Sequence, residues 1–300
     1  MAYSIRRLLK NIVPTWAVRR IRTQRALSIV KKSIAQAPDS PEWLDKSMLR
    51  QLMEDYDFPE AYGYDRERLE IRGKERAAEI LDLPEGNKFK TTLEFGCGDA
   101  MVSATLAKRN LRAIASDISN VRLDQRALAA GVDFRHGDAA GIDIESNIVD
   151  CVFSYNAFEH VHDPPAVLRE MARITKPGGT IFLSFGPLYW SAFGEHAYRS
   201  IPIPFCQCLF PLSILNDFCR EHAYDEIDPM HVNQWSLTQY RKLWSAISPQ
   251  LKCISYRENP SVNHINLIQK FPSCFKNKAL SPLDYIIGDI RIILRKKRVA

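Results

Sequence analysis

Short apolar runs alternate with helix-like patterns through the middle of the chain. The runs predicted as strands are Thr91–Phe95, Ala113–Ser116, Val132–Arg135, Val149–Tyr155 and Thr180–Phe185, and the predicted helices between them are Met101–Lys108, Val121–Ala130 and Pro165–Thr175. Short apolar strands separated by helical segments are typical of βαβ units and of a parallel sheet covered on both faces. We therefore predict an α/β fold, with any ligand at the carboxyl ends of the strands.

Flanking segments add helices and a longer irregular stretch. Residues 42–57 and 65–82 read as helices, Leu237–Ser245 as a helix, Lys252–Tyr256 as a strand and Ile286–Arg295 as strand-like, whereas 257–285 carry no clear pattern. Four prolines at 187, 202, 204 and 211 exclude one long helix from the region after the fifth strand. We expect three parts: an extension over 1–38, a helical part over 39–86, and a domain over 87–300 with an insertion at about 187–235.

The first segment has its own apolar pattern. Apolar residues recur at steps of three and four over residues 5–16, which predicts an amphipathic helix that is interrupted near Pro14. Three interpretations remain open: a helix lying on an anionic membrane surface, a mitochondrial transit segment, or a solvated helix packed on its own domain.

Charge is distributed unevenly along the 300 residues. The chain is 46% hydrophobic and 25% charged, which excludes wholesale disorder, and its net charge is +6. Nine of the 41 Lys/Arg and none of the 35 Asp/Glu lie in residues 1–38, so residues 39–300 carry a net charge of −3. The excess of basic residues therefore lies at the ends of the chain, and nucleic acid is an unlikely partner for the central domain.

The seven cysteines predict no metal centre. No CxxC pair is present, and Cys206 and Cys208 lack a second pair at zinc-finger spacing. Reduced, buried thiols indicate a cytoplasmic location. No apolar run of about 20 residues occurs, so we predict no transmembrane helix and, at most, peripheral membrane contact.

The segment from Leu93 to Ala100, with the sequence LEFGCGDA, carries the most specific chemistry. Glycines after a strand let the backbone approach a ligand closely. A dinucleotide fingerprint needs a third glycine where this chain has Met101, and its pyrophosphate would be repelled by Glu94. A carboxylate there favours a cationic ligand, such as S-adenosylmethionine with its sulfonium and ammonium groups.

At these residues the chain resembles the class I S-adenosylmethionine-dependent methyltransferases, over roughly residues 65–256. The resemblance implies a Rossmann-like, doubly wound, mostly parallel sheet of about seven strands with an antiparallel last strand. It also implies that S-adenosylmethionine is the cofactor and that the cofactor-binding residues are Glu94, Gly96, Gly98, Asp117, Ile118, Asp138, Ala139, Tyr155 and Asn156. The family's frequent third glycine is Ala100 here, and the branch resembled is the one acting on small molecules, lipids and glycans.

Two histidines are candidate catalytic bases. Methyl transfer to a hydroxyl needs a group that accepts its proton, and histidine titrates near neutrality. His160 follows the fourth strand at the expected mouth of the site, and His196 lies in the insertion. A structural role is the alternative for each.

Aromatic residues in the insertion indicate the class of acceptor. Tyr, Trp and Phe side chains between 187 and 235 would cover a sugar, a phenol or a lipid, or they would form a core of their own. We expect O-methylation of a sugar, glycolipid or other small hydroxylated acceptor. The alternatives are a quinone-type phenol or a carboxylate, and an inactive cofactor-binding partner subunit.

Overall fold

The chain divides into two compact units, each built from separate stretches of sequence. The computed structural model describes residues 15–58, 65–137, 141–247 and 249–298. Unit 1 contains the chain up to Asp57, Trp190–Ile227 and Pro260–Gly288, and unit 2 contains Phe58–Tyr189, Asp228–Asn259 and the chain from Asp289. No helix among these residues is long and apolar enough to cross a membrane.

The helices and strands follow the predicted order. In chain order the helices are α1 (Thr15–Ala35), α2 (Lys46–Asp55), α3 (Arg66–Leu81), α4 (Met101–Ala107), α5 (Gln125–Ala129), α6 (Pro164–Ile174), α7 (Cys206–Leu209), α8 (Leu212–Glu221), α9 (Leu237–Ala246) and α10 (Ile265–Lys270). The strands are β1 (Thr91–Phe95), β2 (Arg112–Asp117), β3 (Asp133–His136), β4 (Val149–Tyr155), β5 (Thr175–Phe185), β6 (Leu251–Pro260) and β7 (Ile287–Lys296). Single 3-10 turns lie at Gly86–Lys88, Phe158–His160 and Pro272–Phe275.

Seven strands form one sheet in the order β3-β2-β1-β4-β5-β7-β6. Neighbours from β3 to β5 are parallel, and β7 runs antiparallel to β5. The reversal of strand order next to β1 is the topological switch point at which such sheets bind ligands. The predicted doubly wound sheet with its antiparallel last strand is thus confirmed.

Some element boundaries differ from the predictions. The helix expected over Val121–Ala130 is restricted to α5, because Asp124 accepts a hydrogen bond from the Arg126 amide and caps the helix there. The helix expected over 42–57 begins at Lys46 for the same reason, with Asp45 accepting from the Met48 amide.

The fifth strand, predicted over Thr180–Phe185, begins at Thr175 and so includes the Lys176–Gly179 stretch. The register of β4 against β5 shifts between Val149 and Cys151, and Gly178 has a φ of +85°. The four residues Lys176–Gly179 of β5 thus lie opposite the single residue Asp150 of β4, and this bulge does not end the strand.

Unit 1 has a hydrophobic core of its own. Ala26 and Val30 from α1, with Leu49 and Leu52 from α2, pack with residues of the insertion and of 262–286. Three insertion aromatics, Phe205, Phe210 and Phe218, are buried in this core. These three rings stabilise unit 1. That the more exposed aromatic residues of the insertion cover the acceptor stays a prediction.

Gly73 sets the distance between α3 and α4 in unit 2. A Cβ at this position would lie 2.7 Å from the carbonyl oxygen of Met101, the first residue of α4. Contacts below about 3 Å are repulsive, so only glycine allows α3 to approach this closely. The close approach brings α3 side chains to the loop between β1 and α4.

Candidate cofactor and active site

The loop between β1 and α4 contains two glycines with different roles. Gly96 and Gly98 have φ angles of +61° and +53°, a backbone region that glycine adopts without strain. A Cβ on Gly96 would lie 2.3 Å from the Cβ of Ala157, whereas a Cβ on Gly98 would have no atom within 4 Å. Gly96 therefore serves packing against the segment after β4, and Gly98 borders open space.

Asp117 ends β2 and contacts this loop directly. Its Oδ2 accepts a hydrogen bond from the Gly98 amide at 2.9 Å, and its Oδ1 accepts from the Ser119 amide at 3.1 Å. Each carboxylate oxygen offers two lone pairs, so both keep acceptor capacity after these bonds. The arrangement holds the carboxylate in place and leaves it able to accept from a pair of hydroxyl groups.

Glu94 is buried in β1 and bound to the start of α4. Its Oε2 accepts from the Ser103 amide at 2.9 Å and from the Ser103 hydroxyl at 2.7 Å. Burial raises the pKa of Glu94 to about 7, against the lowering effect of the Ser103 hydrogen bonds. A cation close to this carboxylate would favour its charged form.

An ion pair between α3 and the glycine loop was missed by the sequence reasoning. The Arg72 Nη2 lies 2.7 Å from Oδ2 of Asp99, and the other oxygen of Asp99 accepts from the Met101 amide at 2.9 Å. Both side chains are largely buried. Nothing in the local pattern signals this pair, because the partners are 27 residues apart.

Tyr155 and Asn156 end β4, as predicted, but face different surroundings. The Tyr155 hydroxyl donates to Oε2 of Glu79 on α3 at 2.6 Å, and the Arg76 guanidinium lies 4.4 Å from the ring centroid. Asn156 is exposed, and its main-chain N–H donates to the Ser184 carbonyl at 2.9 Å. The hydroxyl of Tyr155 thus binds α3, and the cofactor contacts of both residues stay predictions.

Glu159 and His160 form the single turn after β4. Glu159 is fully buried; its Oε1 accepts from the Gly186 amide at 3.1 Å, and its Oε2 has no hydrogen-bond partner among the described residues. Burial raises the pKa of Glu159 to about 8. The group is therefore largely protonated at neutral pH, and its neutral form suits the apolar surroundings.

The His160 ring has a defined tautomer. Its Nδ1 lies 2.6 Å from the main-chain carbonyl oxygen of His231, and the two imidazole centroids are 4.5 Å apart. A carbonyl oxygen only accepts, so Nδ1 donates and Nε2 is the basic nitrogen of the neutral ring. Burial lowers the pKa of His160, which keeps the ring neutral and able to accept a proton at pH 7.

The remaining predicted residues lie in three places. His196 belongs to unit 1, with a φ of +58° and its ring centroid 6.5 Å from that of Tyr198. Ile118 follows Asp117 and is 71% exposed. Asp138 and Ala139 lie outside the described residues. Gly137, which precedes them, donates its main-chain N–H to the Asp117 carbonyl and so lies at the end of β2.

Residues 93–183 match a family profile described as a methyltransferase domain. The chain contains a class I S-adenosylmethionine-dependent methyltransferase domain. The match includes Glu94 on β1, Asp117 at the end of β2 and His160 in the turn after β4, so these residues of the candidate site belong to the methyltransferase domain.

Curated relatives match the same part of the chain. A demethylmenaquinone methyltransferase of Corynebacterium efficiens is 33% identical over 138 residues, which are 43% of this chain and 56% of that protein. A ubiquinone biosynthesis O-methyltransferase of Pseudomonas paraeruginosa is 34% identical over 110 residues, 35% of this chain and 47% of that protein. The chain thus spans about half the length of each relative.

Among the solved structures similar to this chain is a putative S-adenosylmethionine-dependent methyltransferase from Listeria monocytogenes. It is 14% identical, with a TM-score of 0.48, and the alignment covers 76% of this chain and all of that one.

The residues of the methyltransferase domain suit a cationic ligand that carries vicinal hydroxyls. Gly98 borders open space, Asp117 keeps acceptor capacity for hydroxyl groups, and the buried carboxyl group of Glu94 favours a positive neighbour. S-adenosylmethionine has both features. The structure brings Gly98 and Asp117 together at the carboxyl ends of β1 and β2, as the sequence predicted.

We expect the change Arg72→Ala to loosen the glycine loop, because Asp99 would lose the partner that holds its carboxylate against the Met101 amide. A hydrogen bond between charged groups contributes about 1.5 kcal/mol, so exchange of the loop amides should accelerate about tenfold. Hydrogen-exchange mass spectrometry on peptides covering 95–103 measures this. Arg66→Ala, on the same helix, is the control and should leave the loop unchanged; equal acceleration in both variants would contradict the prediction.

Proposed function

We propose that the chain transfers a methyl group from S-adenosylmethionine to a hydroxyl of a small acceptor. The observation that carries the proposal is the open space at Gly98, bordered by the Asp117 carboxylate within a methyltransferase domain. Glu94, Gly96, Gly98 and Asp117 would hold the cofactor, together with Ile118, Asp138, Ala139, Tyr155 and Asn156. The bound cofactor supplies an electrophilic methyl group on a sulfonium.

The chain's own residues would align the acceptor and accept its proton. Displacement at a sulfonium methyl has a good leaving group, so proximity and orientation are the main contributions of the protein. His160 is our first candidate for the base, because its Nδ1 is committed to the His231 carbonyl and its Nε2 is basic. His196 is the second candidate, and it lies in a turn of unit 1.

We propose a sugar, glycolipid or other small hydroxylated molecule as the acceptor. The second candidate is a quinone-type phenol, which the names of two relatives at 33% and 34% identity favour. Both candidates present an oxygen nucleophile that must lose a proton, so both use the same base. A carboxylate acceptor would need none.

We further propose a cytoplasmic enzyme that reaches the membrane only by peripheral contact. All seven cysteines are free, and six of them are buried, which suits a reducing compartment. The −3 net charge of residues 39–300 makes nucleic acid an unlikely acceptor.

The proposed activity is tested by incubating the protein with tritium-labelled cofactor and fractionated cell extract. We expect the label in the small-molecule or lipid fraction. The variant Asp117→Ala should transfer no label, because it lacks the carboxylate proposed to accept hydrogen bonds from the hydroxyl groups of the cofactor. Label in a quinone would select the second candidate. Label in RNA would overturn the proposed acceptor class, and cofactor binding without transfer to any fraction would identify an inactive partner subunit.

Cofactor binding should release protons from Glu94. Its pKa of about 7 leaves the free carboxyl group about half protonated at pH 7, and a bound cation would favour ionisation. Titration calorimetry with S-adenosylmethionine in phosphate and in Tris should therefore give different heats, equivalent to about half a proton released. Glu94→Gln should remove the difference. Equal heats in the two buffers with the unaltered protein would contradict this role.

The pH profile should identify His160 as the base. Because burial lowers the pKa of His160 below its ordinary value of 6.5, kcat/KM for the acceptor at saturating cofactor should rise with pH through a midpoint below pH 6.5. His160→Asn should lower kcat by about 10²- to 10⁴-fold and remove that limb of the profile. His162→Ala, an exposed neighbour, is the control. An unchanged profile in the His160 variant would exclude His160 as the base.

A further inference from the structure

Helix α1 is anchored in unit 1 by one of its faces only. Ala26 and Val30 are buried in the unit 1 core, and Leu27 and Ile34 pack against it. Residues spaced by three and four positions share one side of a helix, so these four form a single stripe. The amphipathic helix predicted over residues 5–16 lies outside the described residues except at its last two positions, so the three interpretations of that segment stay predictions.

The opposite side of α1 is exposed and combines two kinds of side chain. Val18 and Ile21 are 37% and 62% exposed, and Arg25 and Lys32 are exposed beside them. At 100° per residue, these four point away from the buried stripe. We call this set the outer face of α1. No Asp or Glu occurs anywhere in α1.

We propose that the outer face of α1 docks on an anionic lipid bilayer. Exposed aliphatic side chains enter the headgroup region, and arginine binds lipid phosphate. Each basic side chain near such a surface contributes about 1 kcal/mol, and the absence of acidic residues from α1 means that no repulsion opposes it. The inference rests on the proposed peripheral location, not on the identity of the acceptor.

Lipid suits this surface better than nucleic acid does. Phosphate binding alone needs only the basic side chains, and it offers no partner for an exposed Ile21. A lipid bilayer accommodates both the basic side chains and Ile21, because its polar headgroups lie next to its acyl chains.

Deleting the segment would be a poor test of the outer face. Removal of α1 would take Ala26 and Val30 out of the unit 1 core and uncover the residues against which they pack. Substitutions on the outer face leave that stripe intact, so they separate docking from folding.

The experiment uses the full chain and vesicles of phosphatidylglycerol and phosphatidylcholine, measured by cosedimentation at low and high salt. We expect binding to the anionic vesicles that weakens with salt, because screening shortens the reach of charges to about 3 Å at 1 M. Arg25→Glu with Lys32→Glu should weaken binding more than tenfold, and Ile21→Ser should weaken it several-fold.

Lys108→Glu with Arg109→Glu is the matched control, since it makes the same charge change at exposed positions of unit 2. Circular dichroism and calorimetric cofactor binding are recorded on every variant. Vesicle binding that is absent, equally weakened by the control, or abolished by an excess of RNA would overturn the proposal. Vesicle binding by a protein that fails to bind cofactor would leave docking intact and refute the proposed methyl transfer.

Discussion

The shape of the site depends on backbone N–H groups that are bound by carboxylates. The first turn of a helix has amide groups without partners inside the helix, and Ala100, at the N-cap position before α4, supplies no side-chain cap. Asp99 accepts from the Met101 amide and Glu94 from the Ser103 amide, so acidic side chains from the preceding segment fulfil this requirement. These hydrogen bonds hold Gly96 and Gly98 in their positive-φ conformations and so keep the space at Gly98 open.

The same bonds give the site its electrostatic character. Three carboxylates, from Glu94, Asp99 and Asp117, surround one short loop, and Arg72 pairs with Asp99. A buried carboxyl group shifts towards its neutral form until a positive group arrives, which is why the pKa of Glu94 is raised. Local structure and preference for a cationic ligand thus have a single physical origin.

The sequence predicts those features of the fold and site that depend on residues close together along the chain. Strand periodicity and motif spacing identified β1, β2 and Asp117, because these signals are local and repeat along the chain. The Arg72–Asp99 pair and the close approach at Gly73 depend on how α3 packs in three dimensions, which no spacing encodes. The sequence did not predict that β5 begins at Thr175, because the pairing of Thr175 with Val149 of β4 joins distant parts of the chain.

The segmented build of unit 1 has a consequence for how the chain is made. Its core joins residues of α1 and α2 to residues beyond 260, so the stripe containing Val30 has no complete partner until most of the polypeptide has been synthesised. At typical ribosomal rates that interval is about 10–40 s. During it the apolar stripe of α1 is exposed, and the acid-free, strongly basic composition of the same segment makes neighbouring nascent chains repel one another.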